Sequence, residues 1–253
     1  MSLLLEFLKA VAVLLVCLSP IFAQIPGPGG VPGPLRSLPP GSVPPGPPKA
    51  PDPIEKLGDN LFRLGSLRVD TSKREVTLSG KVNGAMTLEF IANTKNGFKA
   101  YESAIELETN GLTFNLAMIL IGLDKAHAKP SKFHFDPNPP AGDPLEVQVE
   151  WTSEGISKRV RAEELLRDID KGEGFTRGQW VYTGSGFLDD GRYLADLDGV
   201  LIGFVHDPSS IIEWTGSNGV GRYGHIGIDP KLGLAPGTPL TVTVRAIQAG
   251  AKD

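Results

Sequence analysis

The chain has 253 residues, a formal net charge of -4 and one cysteine, Cys17. With no basic excess it lacks the overall field by which a protein binds nucleic acid or an anionic membrane surface. A lone cysteine excludes an internal disulfide, and a chain cut after Ala23 would also lack thiolate nucleophiles, cysteine zinc sites and iron-sulfur clusters.

Residues 1–23 read as a secretory signal peptide: Lys9 near the start, an apolar run from Ala10 to Leu18, the helix breaker Pro20, and Ala23 before a predicted cut at Gln24. An uncleaved membrane anchor is the alternative, given Glu6 and Ile21, and lipidation of Cys17 is a second, against which stands Val16 in place of a small residue. Residues 24–53 hold 12 of the 22 prolines and almost no bulky apolar side chain. Such a segment cannot offset its ordering entropy and reads as a disordered linker, either a spacer or a ligand for proline-binding grooves. It has no strict Gly-X-Y period, which rejects collagen.

A single folded domain is expected over residues 54–250. Leu67 and Val69, then Val76, Leu78 and Val82, alternate with polar residues across a turn at 70–74 and predict a hairpin. Met86 to Ala92 predicts a third strand, Asn96-Gly97 a tight hairpin turn, and Lys99 to Leu107 the returning strand. Next comes the most apolar segment of the domain. Thr109 or Asn110 can cap a helix there, Gly122 can stop it, and Leu112 to Ile121 is apolar nearly all round, so the helix is expected to be enclosed. On that reading Leu116→Asp should prevent folding.

A loop with five prolines spans Asp124 to Pro144. Leu145, Val147, Val149 and Trp151 then alternate with Glu146, Gln148 and Glu150, a strand with one wet face. Ile156 to Arg161 is expected to pair back, followed by a short helix from Ala162 to Asp168 and a strand from Gln179 to Thr183. Tyr193 to Ala195 and Val200 to Val205 are expected to form strands around an Asp198-Gly199 turn. Pro208 to Trp214 is expected to be a helix capped by Asp207, 215–237 a glycine-rich loop, and Leu240 to Ala246 a final half-buried strand. The predicted fold class is α+β: a single domain of mostly antiparallel strands in hairpins, packed around one buried central helix.

Chemistry has few candidates. Glu89, Glu102, Ser103, Glu106 and Glu108 lie on or near two neighbouring strands, where paired carboxylates can divide acid and base roles or simply form a solvated face. The histidines, His127, His134, His206 and His225, show no zinc-ligand spacing. His206-Asp207 stands at a predicted strand-to-helix junction, although capping alone explains Asp207. Gly184-Ser185-Gly186 is not a nucleophile elbow. The glycines at 216, 219, 221 and 224 resemble a phosphate loop only in composition, and Asp196, Asp198 and Gly199 give a fragment of a calcium loop without its later ligands.

Several motifs in fixed order resemble one family. They are Lys99-Ala100-Tyr101-Glu102-Ser103, the helix end Ile119-Leu120-Ile121-Gly122, and Trp180-Val181-Tyr182-Thr183-Gly184-Ser185-Gly186-Phe187. Leu194-Ala195-Asp196, Asp198-Gly199 and Gly237-Thr238-Pro239-Leu240-Thr241-Val242 complete the set. Together they cover residues 60–247 and resemble the YdjY-domain proteins, a family of exported bacterial proteins. The resemblance implies one fold and export, and brings no activity with it. Tyr101 stands where the family pattern Lys-x-His-Glu-Ser has histidine, so any role of that histidine does not transfer.

Two functional expectations follow. The first is an exported, non-catalytic binding or structural module of the periplasm or cell envelope, partnered by an envelope protein or cell-wall ligand. It involves no nucleic acid, cofactor or metal, and touches the membrane only through the N-terminal segment if that is uncleaved. The second is an exported hydrolase or metal-using enzyme with Glu102, Ser103, His206 and Asp207 gathered at one cleft.

Overall fold

The structure, a computed structural model, describes residues 50–175, 178–216 and 223–247. Residues 1–23, most of the proline-rich segment, and Gly219 and Gly221 therefore lie outside the described residues. The strands are β1 (Ile54–Lys56), β2 (Leu61–Leu64), β3 (Leu67–Asp70), β4 (Glu75–Val82), β5 (Phe90–Thr94) and β6 (Ser103–Leu107). After helix α1 (Gly111–Leu120) come β7 (Asp143–Ser153), β8 (Ile156–Arg161), β9 (Leu166–Asp168), β10 (Glu173–Gly174) and β11 (Trp180–Tyr182). Helix α2 (Leu194–Asp198) precedes β12 (Val200–Gly203), β13 (Ile212–Trp214), β14 (Ile226–Ile228) and β15 (Pro239–Ala246).

Eight of these strands close on themselves. Starting from β4, the neighbours are β15, β7, β11, β13, β12, β5 and β6, and β6 pairs back to β4. The expected α+β domain packed around a central helix is thus overturned: the fold is mostly β, a closed barrel. Closure works because β4 divides one edge between two partners, β3 beside residues 75–77 and β6 beside residues 80–82. Gly80 sits at the crossing, where a Cβ would lie 2.5 Å from the Glu106 carbonyl oxygen. A ring of eight strands encloses only the space its own side chains fill. Trp180 and Trp214 are among those buried side chains, with ring centroids 4.8 Å apart.

The elements with one wet face are where the sequence predicts them. In β7, Leu145, Val147, Val149 and Trp151 are buried between half-exposed neighbours, and β15 repeats the pattern. The strands β5, β6, β11, β12 and β13 are buried at every residue. They show no alternation, and several expectations fail on them. Residues 208–214 are a turn followed by β13, not a helix. Tyr193 to Ala195 begins a helix rather than a strand, and Gly199, at φ 71°, ends that helix instead of turning a hairpin. The segment 162–168 is one 3-10 turn followed by β9. Asn96 does turn the chain, at φ 55°. The strands it links, however, are parallel, as are β12 and β13.

Helix α1 starts where β5 and β6 end. The Asn110 side chain accepts from Thr113 N, and the Asp196 carboxylate accepts from Gly111 N and Leu112 N, so negative charge meets the positive end of the helix. Arg74 donates to the carbonyls of Ile121 and Gly122 at the other end, and Gly122 takes φ 84°. Phe114, Ala117 and Met118 are buried. Leu112, Leu116, Ile119 and Leu120 are only partly covered, so the helix is not enclosed as its composition suggests.

Candidate functional site

The strands β5 and β6 run parallel, so the residues just before them, Glu89 and Glu102, come side by side at one end of the barrel. Glu89 N donates to the Glu102 carbonyl at 2.9 Å. The connection 204–211 between β12 and β13 brings His206 and Asp207 to the same end. Over both lies the proline-containing loop, and it is not free. Phe135 N donates to the His206 carbonyl, Ser131 donates through N and Oγ to Glu213, and Lys129 bridges to Ala141.

At the centre is His134. Its Nδ1 lies 2.6 Å from Asp207 Oδ2 and its Nε2 3.3 Å from Glu89 Oε2. Burial opposes the charged ring, but the hydrogen bonds to Asp207 and Glu89 overcome it and raise its pKa to about 9. Burial likewise pushes against the charge on Asp207, yet His134 and the Ser209 hydroxyl and amide hold its carboxyl below the usual range. Glu102 is pushed up by burial, with Lys99 opposing. Lys99 Nζ sits 2.5 Å from Glu102 Oε1, an ion pair off the line a hydrogen bond prefers, and also lies 5.3 Å above the Phe90 ring. Glu213 is wholly buried, and no basic side chain among the described residues pairs with it. Burial pushes its carboxyl up to about 7 against the donors Ser131 and Asp207 N.

The predicted site residues therefore separate. Glu102 and Asp207 flank the Glu89–His134 pair. The Ser103 hydroxyl is spent on the Lys99 carbonyl, four residues back. His206 turns Nδ1 to the Asp136 carbonyl at 2.6 Å, leaving Nε2 buried without a hydrogen bond. Glu106 meets Lys81 at 3.0 Å and Glu108 meets Lys95 at 2.6 Å. His127 pairs with Asp143, and His225 is buried elsewhere. Ser185 is a turn residue at φ 48° whose hydroxyl donates to the Ser209 carbonyl. Asp196 caps α1 rather than holding calcium. Sequence reasoning missed Glu213, since a three-residue buried strand offers no periodicity, and it did not single out His134.

What this arrangement can do is limited by its own pairing. Both nitrogens of His134 face carboxylates, so the ring offers no lone pair to a metal or a proton. Ser209 bonds the aspartate and not the histidine, which is the wrong order for a nucleophilic triad. Among the described residues no group of three His, Cys, Asp or Glu side chains is placed to hold a metal ion, and no helix is long and apolar enough to cross a membrane.

The YdjY domain family model matches residues 67–245. The chain belongs to the YdjY-domain family. Searches of the curated proteins and of the solved structures find no match. The match on the YdjY domain begins at β3 and ends at Arg245 within β15, so it takes in all of the barrel but Ala246, together with Glu89, Glu102, His134, Asp207 and Glu213.

Proposed function

We propose that this YdjY domain is an exported, non-catalytic module of the cell envelope that holds an envelope protein or cell-wall ligand against the barrel end carrying Glu89, Glu102, His134 and Asp207. The observation that supports a binding role over a reaction is the double pairing of His134. A general base at neutral pH must be unprotonated with a free lone pair, and this ring is held charged between two carboxylates. Around that rigid cluster aromatic rings are exposed. Tyr101 is 55% and Phe133 54% exposed, and Phe98 meets Tyr101 edge to face at 6.0 Å. Rings beside fixed charges suit a sugar- or peptide-bearing ligand, which needs an apolar surface and a few oriented polar groups.

The chain path supports the same reading. Asp52 N donates to Thr113 Oγ1 near the start of α1, so the segment following the proline-rich stretch joins the barrel where β5 and β6 end. The cluster stands where those strands begin, about 16 Å away for five residues of strand. The described chain thus enters at the end away from the cluster, and Asp52 does not cover it. Export itself is supported by the pattern of Lys9, the apolar run and Ala23.

The test uses the purified exported chain in two assays, co-sedimentation with isolated cell-wall sacculi and envelope fractions, and turnover of ester, peptide and glycosidic substrates. Saturable retention that is lost in Tyr101→Ala is expected. Robust turnover of any of these substrates, abolished by Glu102→Gln or Asp207→Asn, would overturn the proposal.

A further inference from the structure

We infer that the barrel is two copies of one four-stranded unit related by a pseudo-two-fold axis, and that Glu106 and Glu213 are the same positioning residue in each copy. The pairing register carries this. The first copy is β4, β5, β6 and β7, and the second, in the same chain order, is β11, β12, β13 and β15. Within the first, Gly80, Lys81 and Val82 pair with Leu107, Glu106 and Ile105; within the second, Trp180, Val181 and Tyr182 pair with Trp214, Glu213 and Ile212. The parallel ladders also correspond, with Ala92 beside Ile105 and Asn93 beside Glu106, against Ile202 beside Ile212 and Gly203 beside Glu213.

The ladders joining the copies obey the same operation. Pro239 and Leu240 meet Lys81 and Gly80 as Pro144 and Leu145 meet Val181 and Trp180. Where a strand meets its own counterpart the register is self-complementary. Leu240 faces Trp151 and Ala246 faces Leu145 across β15 and β7, while Gly203 faces Phe90 and Val200 faces Asn93 across β12 and β5, irregularities included. That reciprocity is the signature of an isologous interface between identical units.

The sequence agrees once it is aligned this way. Gly142-Asp143-Pro144-Leu145-Glu146-Val147-Gln148-Val149 corresponds to Gly237-Thr238-Pro239-Leu240-Thr241-Val242-Thr243-Val244. Ser103-Ala104-Ile105-Glu106 corresponds to Ser210-Ile211-Ile212-Glu213. Asn83 and Thr183, each followed by glycine, make the same two bonds. Their backbone amides donate to the Ala104 and Ile211 carbonyls, and their side chains donate to the Ser103 and Ser210 carbonyls.

Each copy faces the same difficulty. Parallel neighbours ordinarily need a crossover of about a dozen residues or more. Here each connection, 95–102 and 204–211, is shorter and leaves amides without a strand partner. The glutamate supplies the acceptor: Glu106 Oε2 takes Asn96 N at 3.0 Å and Glu213 Oε2 takes Asp207 N at 3.3 Å. The copies then diverge. Lys81 balances Glu106, but its counterpart is Val181, and Glu213 relies on Ser131 from the loop between α1 and β7. That loop also brings His134, and among the described residues between β13 and β15 no segment takes its place.

Amide hydrogen exchange by NMR on the full chain tests this. In Glu106→Ala the Asn96 amide should lose at least tenfold protection while Asp207 keeps its own, and Glu213→Ala should do the reverse. Glutamine at either position, which retains an accepting oxygen, should restore protection to within about threefold. Should Glu213→Ala not fold, Glu213→Asp, one methylene short of the amide, gives the same reading. Loss of protection in both connections from one substitution, in neither, or glutamine no better than alanine would overturn the assignment.

Discussion

His134 Nδ1 lies 2.6 Å from Asp207 Oδ2, joining positions 73 residues apart in the chain. Through this contact the loop between α1 and β7 is fixed to the connection between β12 and β13. Removing one partner of a buried pair leaves the other charge uncompensated, which costs about 3–5 kcal/mol for a deeply buried pair. His134 keeps some solvent contact, so His134→Ala should destabilise by about 2 kcal/mol in denaturant unfolding and open the loop to protease near Pro137. His134→Ala combined with Asp207→Asn should cost less than the sum of the two single changes. Additive losses would show the contact to be inert.

The pH dependence of stability follows from two groups of opposite charge type. His134 is raised from 6.5 to about 9 on folding, so its contribution is fully present below pH 6.5 and is lost as pH rises through 9. Glu213 is a carboxyl raised from 4.5 to about 7. The folded state binds its proton more tightly than the unfolded, so the cost of its burial is absent below pH 4.5 and complete above 7, at most about 3 kcal/mol. Both slopes have the same sign. The melting temperature should fall between pH 5 and 9, and Glu213→Gln should shrink the part of the fall below pH 7, to which Glu102, also raised by burial, adds with the same sign, while leaving the part above it. A Glu213→Gln profile parallel to wild type across pH 5–7 would contradict the assignment.

Which parts of the fold are legible in the sequence follows from how each strand is buried. β7 and β15 have one covered and one wetter face, so Leu145 to Trp151 and Leu240 to Ala246 show period two. β11 and β13 are three residues each with nothing exposed, and their sequences carry no period at all. Barrel closure depends on β4 meeting β6, a pairing that local patterns do not encode. The recurring Gly-x-Pro-Leu-x-Val-x-Val at 142–149 and 237–244 is a legible signal of two copies, and it points to a closed pseudo-symmetric sheet rather than hairpins around a helix. For the site, Glu102, His206 and Asp207 are visible as residue types. Nothing in their spacing brings positions 89, 134 and 207 together, because three separate connections do so.

Helix α1 distinguishes composition from position. Phe114 is wholly buried whereas Leu116 is only partly covered. Phe114→Ala should cost about 3–5 kcal/mol by leaving a cavity, and Leu116→Ala less than about 2 kcal/mol. Leu116→Asp should therefore still fold, with a lowered melting temperature. Asp196→Ala, which removes the carboxylate from two amides at the helix start, should cost about 1 kcal/mol. Circular dichroism melts of the four variants rank them.

Closure of the barrel can be probed at one atom. Gly80 packs against backbone, since an added Cβ would lie 2.5 Å from the Glu106 carbonyl oxygen and 2.7 Å from Leu107 Cδ2. The side chain could shift, but the carbonyl belongs to the neighbouring strand and can yield only by parting β4 from β6. Gly80→Ala should then destabilise by about 1–3 kcal/mol, as overpacking does, although alanine ordinarily suits a strand better than glycine. Hydrogen exchange should localise the damage to residues 80–82 and 105–107. A neutral or stabilising Gly80→Ala would mean that the two strands are not in close contact there.

The exposed rings give the prediction that bears most directly on function. Tyr101 and Phe133 keep just over half of their surface exposed, so alanine at either position should cost only about 1 kcal/mol of stability, well below the loss of a core ring. If they form a ligand-facing surface, each substitution should weaken retention on the envelope fraction at least tenfold, and the Tyr101→His variant, which supplies the residue of the family pattern, should keep an aromatic ring there and retain most binding. Lys99→Ala separates the rings from the charges, because it releases Glu102 without touching Tyr101 or Phe133. Retention unaffected by the ring substitutions but lost in Lys99→Ala would move the ligand from the aromatic surface to the charged cluster beneath it.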